Sequence, residues 1–135
     1  MTVCSVRPPE PGGVQSLTGA GSVQSLSGRR NKTAGLTDRQ LAARVMSPLA
    51  RCAYAALDPD EWFPVAVRPE TARAEARTAL ALCAACPVRA ECLEFALRHR
   101  RGVGRHGIWG GLVEAERASA YRGWAAGAPV EALLR

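Results

Sequence analysis

Four cysteines with the spacing C-x30-C-x2-C-x5-C restrict the fold of this sequence more than any other feature; they are Cys52, Cys83, Cys86 and Cys92. Four thiolates are enough to close a metal or iron–sulfur site. Structural zinc usually takes two close pairs of ligands, whereas three clustered cysteines and a distant fourth are more usual for a [4Fe–4S] cluster. The spacing therefore favours iron–sulfur ligation and leaves zinc binding and thiol–disulfide chemistry open.

The sequence carries no sign of a membrane or secreted protein. No apolar run approaches the ~20 residues that cross a bilayer, and the N-terminus lacks the basic and apolar segments of a signal peptide. We therefore expect a cytoplasmic protein with no membrane partner. Thiols stay reduced in that compartment, where clustered cysteines are metal ligands or redox groups more often than structural disulfides.

Composition divides the chain into three segments. Residues 1–35 are rich in Gly, Pro, Ser and Thr, which predicts a flexible, disordered extension. Residues 36–126 contain the motifs and form the predicted domain, and residues 127–135 are a short C-terminal tail. A domain of this size buries a limited core, so a metal site is a plausible additional source of stability.

The apolar periodicity predicts a small all-α domain of about four helices wrapped around the metal site, since no segment alternates like a strand. The predicted helices are an N-terminal one opened by the capping box Thr37–Gln40, one from Pro69 to about Leu82, one from Pro87 to about Arg101, and one from about Leu112 to Trp124. In the third helix, Cys92 and Phe95 lie on the apolar face, and Glu94 is expected to lie off it.

Arginine supplies almost all of the positive charge. The chain has a formal net charge of +6, and one short stretch, residues 98–106, contains four arginines and no acidic residue. These are Arg98, Arg100, Arg101 and Arg105. They either complement the carboxyl end of a helix or form a patch that contacts nucleic-acid phosphates. Residues 107–135 are neutral, so the tail offers no second basic segment.

Two further motifs place aromatic residues in turns. Trp62 and Phe63 belong to the segment Asp58–Pro64, whose prolines predict turns. Trp109 lies at the centre of Gly107-Ile108-Trp109-Gly110-Gly111, where we expect an exposed indole. Such aromatics are either part of the core or anchors of a protein interface.

Taken together, three motifs resemble the WhiB-like proteins of actinobacteria and follow that family's order. They are the run CAACPVRAECLEFAL from Cys83 to Leu97, the turn GIWGGL at residues 107–112 and the loop DPDEWFP at residues 58–64. The resemblance covers about residues 46–122. It implies a transcription regulator, not an enzyme, that holds a [4Fe–4S] cluster sensitive to oxygen and nitric oxide. The implied ligands are Cys52, Cys83, Cys86 and Cys92, with a disulfide in the cluster-free form.

The resemblance also implies a partner, region 4 of the primary sigma factor in the RNA polymerase holoenzyme, and no small-molecule substrate. The implied sigma-contacting residues are Trp62, Phe63 and Trp109, while Gly107, Gly110 and Gly111 permit the tight turn. Two departures stand out. Met46 occupies a position where many relatives have tryptophan, and the neutral tail argues against DNA binding through the C-terminus.

Two alternative functions stay open from the sequence. One is a thiol–disulfide reductase acting through Cys83-x-x-Cys86 in the metal-free form, which requires a thiol of low pKa. The other is a zinc-stabilised DNA-binding module, which predicts colourless protein and DNA affinity that falls steeply with salt.

Overall fold

The computed structural model describes residues 32–134, which form five α-helices joined by short 3-10 turns and contain no strand. The helices are α1 (Asp38–Val45), α2 (Pro69–Glu75), α3 (Arg77–Ala84), α4 (Arg89–Arg98) and α5 (Glu114–Ala125). The prediction of a small all-α domain is confirmed, with five helices instead of about four. Most of the predicted extension, including Cys4, lies outside the described residues. Within them, no helix is long and apolar enough to cross a membrane.

Helix α1 begins at the predicted capping box. The Thr37 side chain accepts from the Gln40 N–H at 3.0 Å, and the Gln40 side chain accepts from the Thr37 N–H at 2.8 Å. Leu41 and Val45 are buried and form the apolar face of this helix. The helix ends at Val45, before the proline at position 48 would remove a backbone donor.

The predicted second helix is in fact two helices, α2 and α3, separated at Ala76 (φ −106°, ψ 26°). The break is stabilised by a carboxylate from a remote turn. Glu61 Oε2 accepts from the N–H groups of Thr78 at 2.9 Å and Ala79 at 3.2 Å, which lie in the first turn of α3. Those donors have no partner inside the helix, so the carboxylate acts as its N-terminal cap.

Helix α4 is the centre of the domain, and all its residues from 91 to 97 are buried. One side, with Cys92 and Phe95, packs with residues of α1 and Trp109. The opposite side, with Leu93 and Leu97, packs against α5 and the C-terminal segment. The expectation that Glu94 lies off the buried face is therefore wrong, because α4 is enclosed on several sides.

Glu94 is a buried carboxylate that is fully paired. It accepts from Arg98 Nε at 2.8 Å and from the indole Nε1 of Trp124 at 3.2 Å. Arg98 also donates to the Asp38 carboxylate at 2.9 Å and to the carbonyl oxygen of Ala34 at 3.1 Å. A buried charge is tolerated when it is hydrogen-bonded in this way. This network joins the segments before α1 and at the end of α5 to α4.

The segment that follows α5 packs back onto the domain. Val130 is buried in the cluster that contains Leu93, Leu97 and Leu112. It begins the 3-10 turn Val130–Ala132. Residues of the predicted C-terminal tail thus contribute to the core.

Candidate metal centre

The four cysteines predicted as ligands line one apolar cavity, although separate segments supply them. Cys52 lies in the 3-10 turn Arg51–Tyr54, Cys83 in the last turn of α3, Cys86 between α3 and α4, and Cys92 in α4. The other lining residues are Val45, Ala50, Leu82, Val88, Arg89 and Gly110. The cavity measures about 10 Å³, which is room for about one water molecule.

The four sulfurs do not share one chemical state. Cys83, Cys86 and Cys92 are free thiols, whereas Cys52 is disulfide-bonded. As placed, no three His, Cys, Asp or Glu side chains within residues 32–134 form a group that could hold a metal ion. The donor set matches a thiolate-ligated cluster in chemistry and number. A cluster bound by all four cysteines would require a reduced Cys52. It would also require the walls of this small cavity to move apart.

The glycine turn closes the cavity and donates hydrogen bonds to sulfur. Trp109 and Leu112 exchange two backbone hydrogen bonds, of 3.3 and 3.0 Å, around Gly110 and Gly111. The Gly110 N–H donates to Cys92 Sγ at 3.3 Å, and the Gly111 backbone bonds to Cys83. Such bonds stabilise a thiolate or a metal-bound sulfur.

Glycine is required at position 110 on two independent grounds. Its φ of +59° lies in the left-handed region, which side chains rarely adopt. A Cβ at this position would lie 2.6 Å from Leu93 Cβ, closer than atoms of two side chains can approach. The backbone reaches Cys92 only because no side chain separates the turn from α4.

Burial keeps the thiols of Cys83 and Cys92 protonated. Desolvation raises the pKa of the Cys83 thiol from 9.0 to about 11, and the hydrogen bond from Gly111 offsets only part of that effect. Burial likewise raises the pKa of Cys92, with a further increase from the nearby Cys83. Cysteines bind metals as thiolates, so metal ligation at these positions would need positive charge from the metal to offset the cost of burying the thiolates.

Arg117 is a buried arginine that holds the glycine turn and was not identified from the sequence. Its guanidinium donates to four backbone carbonyl oxygens, those of Gly104 (3.1 Å), Arg105 (3.3 Å), Gly107 (2.6 Å) and Leu112 (2.9 Å). Burial lowers its pKa to about 10, which still leaves it charged at neutral pH. No local pattern indicates this role, because the acceptors come from a loop with no regular spacing.

The aromatic residues assigned to an interface lie mostly inside the domain. Trp62 is 3% exposed and packs in the cluster with Ile108, while Trp109 is 4% exposed and packs near Phe95. The expectation of an exposed Trp109 is therefore wrong. Its indole is turned inward, and its Nε1 donates to the carbonyl oxygen of His106 at 3.0 Å. Phe63 is half-buried.

The aromatic loop and the glycine turn are in direct contact. The Ile108 N–H donates to the Trp62 carbonyl oxygen at 3.0 Å. A Cβ at Gly107 would lie 2.8 Å from Phe63 Cε1, so the Phe63 ring lies against this glycine. The two motifs, more than 40 residues apart in sequence, thus form one unit beside the cysteines.

The four arginines of the basic stretch divide into two kinds. All three donor nitrogens of Arg98 are occupied inside the domain, so it is separated from the others. Arg100, Arg101 and Arg105 are exposed and line a common groove. The structure therefore leaves three of the four candidates accessible to nucleic acid.

The structure defines a small helical domain in which four cysteines line one cavity and a glycine turn donates a hydrogen bond to one of their sulfurs. Comparison with known proteins narrows the class. The family model "Transcription factor WhiB" matches residues 48–119, a little over half of the chain. The chain belongs to the WhiB family.

Individual relatives agree with this assignment. The chain is 42% identical over 73 residues to transcriptional regulator WhiB2 of Mycobacterium tuberculosis, covering 54% of this chain and 72% of the relative. It is 43% identical over 67 residues to transcriptional regulator WhiB of Streptomyces coelicolor, covering 50% of this chain and 67% of the relative. It is also 38% identical over 65 residues to M. tuberculosis WhiB1, covering 48% and 73% respectively.

Proposed function

We propose that this protein is a transcription regulator that holds a [4Fe–4S] cluster on Cys52, Cys83, Cys86 and Cys92 and responds to oxygen or nitric oxide. The observation that carries the proposal is the convergence of all four cysteines on one cavity closed by the glycine turn. The transcriptional-regulator names of the relatives agree with the broader role.

The chain's own residues prepare the site for thiolate ligation. The N–H groups of Gly110 and Gly111 are directed at sulfur and reduce the cost of negative charge there. Arg89 adds a nearby positive charge that lowers the pKa of Cys83, although burial outweighs it. When bound, the cluster would supply a redox-active, nitric-oxide-reactive iron centre.

The proposed partner is region 4 of the primary sigma factor. Phe63 is half-buried and accessible for a direct contact, whereas Trp62 and Trp109 lie beneath the surface and would position it. Val65 and Val67, the next apolar residues along the chain, are 88% and 86% exposed. An aromatic residue flanked by exposed aliphatic side chains is typical of an interface anchor. Met46 is half-buried at the end of α1, so it would contribute little to this surface.

The proposed switch is a coupling of ligation to the position of the glycine turn. Loss of the bonds from Gly110 and Gly111 to sulfur would free the turn, and the Ile108–Trp62 hydrogen bond would transmit the change to the aromatic loop. Part of the free energy of cluster binding would then be used to order the sigma-binding surface.

Strictly anaerobic purification tests this function directly. We expect a brown protein with about four irons per chain and matching sulfide, and retention of sigma region 4 in a pull-down that is lost after exposure to nitric oxide. Cys83→Ala should lose both iron and sigma binding, whereas Cys4→Ser, outside the ligand set, should keep both.

Other outcomes of the same measurement contradict the proposal. A colourless protein with one tightly bound zinc would favour the zinc-stabilised module. Tight sigma binding by a folded Cys83→Ala variant would exclude the coupling. The reductase alternative gains no support here, because burial raises the pKa of Cys83 and disfavours the nucleophilic thiolate.

A further inference from the structure

A groove of about 460 Å³ is formed by the segment that follows α4 and by the first turns of α5, and it shares no lining residue with the cysteine cavity. Its lining consists of Arg100, Arg101, Arg105, Glu114, Arg117 and Ala118. Four guanidinium groups therefore face one carboxylate, and we refer to this site as the arginine groove. Its volume falls within the range of about 300–1,000 Å³ that is usual for small-molecule sites.

Arg117 is a buried cation of the groove that has no bonded counter-ion. It is 4% exposed, and within residues 32–134 its hydrogen bonds go to uncharged backbone carbonyl oxygens alone. The Glu114 carboxylate acts on it only at longer range, so burial is not offset and lowers the pKa of Arg117 to about 10. Buried charges in proteins are normally neutralised by a partner. The uncompensated charge of Arg117 therefore favours an anion in the groove.

We propose that the arginine groove binds a small molecule that carries two or more adjacent phosphates, such as a nucleoside triphosphate or inorganic triphosphate. This inference goes beyond the proposed function, because it needs neither an iron–sulfur cluster nor a sigma factor. A guanidinium group binds phosphate oxygens through two parallel hydrogen bonds. A concave site walled by charges of one sign also concentrates ions of the opposite sign.

The arginines of the groove have donors to offer. Arg101 and Arg105 make no hydrogen bond or ion pair from their side chains to any other residue in the described part of the chain. A guanidinium group has five N–H donors, and the four carbonyl oxygens bonded to Arg117 leave one of its donors over. All three side chains can therefore donate to a ligand.

The remaining polar members of the groove are held in place by neighbours. The guanidinium carbon of Arg100 lies 4.5 Å from the centre of the Tyr121 ring, a cation–π contact that restricts the side chain before a ligand binds. The carboxylate of Glu114 is paired with His106, with 3.0 Å between Oε2 and Nδ1. This pairing offsets part of the repulsion that the carboxylate would exert on an anion.

A compact polyphosphate suits the groove better than a single phosphate or an extended polyanion. Four guanidinium groups offer more donors than the oxygens of one phosphate group can accept, whereas adjacent phosphates can meet several of them at once. The nearly buried Arg117 is reached only by a ligand that enters the groove. A polyanion lying across the exposed arginines would leave the charge of Arg117 without a partner.

Isothermal titration calorimetry on the full chain, purified anaerobically and free of divalent cations, tests the proposal. We expect inorganic triphosphate to bind at least about tenfold more tightly than inorganic phosphate at equal ionic strength. A nucleoside triphosphate that binds more tightly still would identify a nucleotide as the ligand, and equal affinities would identify the polyphosphate group alone.

The first pair of variants removes positive charge. Arg101→Gln with Arg105→Gln should weaken triphosphate binding about tenfold or more, because two sets of charge-assisted hydrogen bonds are lost. The matched control combines Arg39→Gln with Arg77→Gln, which removes the same charge from exposed positions outside the groove. The control should change affinity much less, and thermal melts establish that both double variants fold.

The second pair of variants removes negative charge and predicts a gain, which a folding defect cannot imitate. Glu114→Gln neutralises the carboxylate of the groove and should tighten triphosphate binding about threefold or more. Glu70→Gln is the matched control, because Glu70 is also an exposed glutamate in the first turn of a helix but lies outside the groove. It should leave the affinity nearly unchanged.

Several results would overturn the proposal. They are absence of triphosphate binding by the parent chain, equal affinity for phosphate and triphosphate, and equal effects of the groove and control variants in either pair. Competition by a short DNA duplex or by an acidic peptide that is as strong as that of triphosphate, at equal charge concentration, would also contradict a site for small polyphosphates. A colourless, iron-free chain that binds triphosphate through the groove would refute the iron–sulfur proposal and leave this one standing.

Discussion

The backbone N–H of Ile108 lies 3.0 Å from the carbonyl oxygen of Trp62 and donates to it, which joins the glycine turn to the aromatic loop. Two residues further on, Gly110 donates to Cys92 Sγ. The route from a cysteine sulfur to the aromatic loop therefore runs through a single turn of backbone. In the proposed switch, a change in the bonding of that sulfur would reach the loop through this turn.

Gly110→Ala should destabilise the domain by about 2 kcal/mol or more. The left-handed φ disfavours alanine, and the new Cβ would overlap Leu93. Chemical denaturation of the reduced, metal-free chain measures the free energy of unfolding. Gly35→Ala is the matched control, because its φ is not positive and a new Cβ there would have no atom within 4 Å. Equal stabilities of the two variants would contradict the argument.

Arg117→Ala should cost about 3 kcal/mol or more, since it removes the donor from four backbone carbonyl oxygens, each costing about 1–3 kcal/mol if left buried without a partner. Arg122→Ala, an exposed arginine on the same helix, should stay within about 0.5 kcal/mol of the parent. Chemical denaturation measures the difference as a shift of the unfolding midpoint, provided that the dependence of the unfolding free energy on denaturant concentration is the same in both variants. A loss of stability of less than about 1 kcal/mol in Arg117→Ala would show that the glycine turn does not depend on these hydrogen bonds.

Glu61→Ala should destabilise the chain by about 1 kcal/mol, because the first turn of α3 loses the acceptor for two N–H groups. Glu70→Ala removes an exposed carboxylate whose distance to Arg68 is 3.9 Å, and it should change stability by less than about 0.5 kcal/mol. Circular dichroism during thermal unfolding distinguishes them. Identical melting temperatures would rule out the remote cap.

The stability of the reduced, metal-free chain should fall as pH rises above about 9. Burial raises the pKa of the Cys83 thiol from 9.0, its value in the unfolded chain, to about 11, so between these values only the unfolded chain releases the proton. Cys83→Ala should weaken this dependence, and the part that remains comes from Cys92, whose pKa burial also raises. The effect of the thiols is best measured between pH 9 and 10. Above that range Arg117, whose pKa burial lowers to about 10, also begins to lose its proton. Urea titrations at several pH values measure the slope, and no difference between parent and variant would refute this cause.

Features encoded within a few residues were predictable from the sequence. The capping box of α1 is a local pattern, and it is confirmed. The convergence of the cysteines followed from their spacing and from the three family motifs. Cys83 and Cys86 are only three residues apart and are followed by Pro87, so their position in one turn could be predicted without knowledge of tertiary contacts.

Features that depend on distant partners were not predictable in the same way. The division between α2 and α3 depends on Glu61, which lies 17 residues before the donor Thr78. The burial of Glu94 depends on Trp124, a further 30 residues along the chain. Trp109 was expected to be exposed because it lies at the centre of a turn, yet Gly110 lets the backbone of that turn approach α4 closely, and the indole is 4% exposed.

Glu94 shares its two oxygens between Arg98 and Trp124, and Arg98 in turn holds the backbone at Thr33 and Ala34. If either the segment before α1 or the end of α5 separated from α4, the Glu94 carboxylate would become exposed. Its hydrogen bond to the segment that remained would then weaken. The beginning and the end of the described chain should therefore open as one cooperative unit instead of fraying independently. Their protected amides would then exchange with deuterated solvent at a common rate, although they belong to opposite ends of the domain.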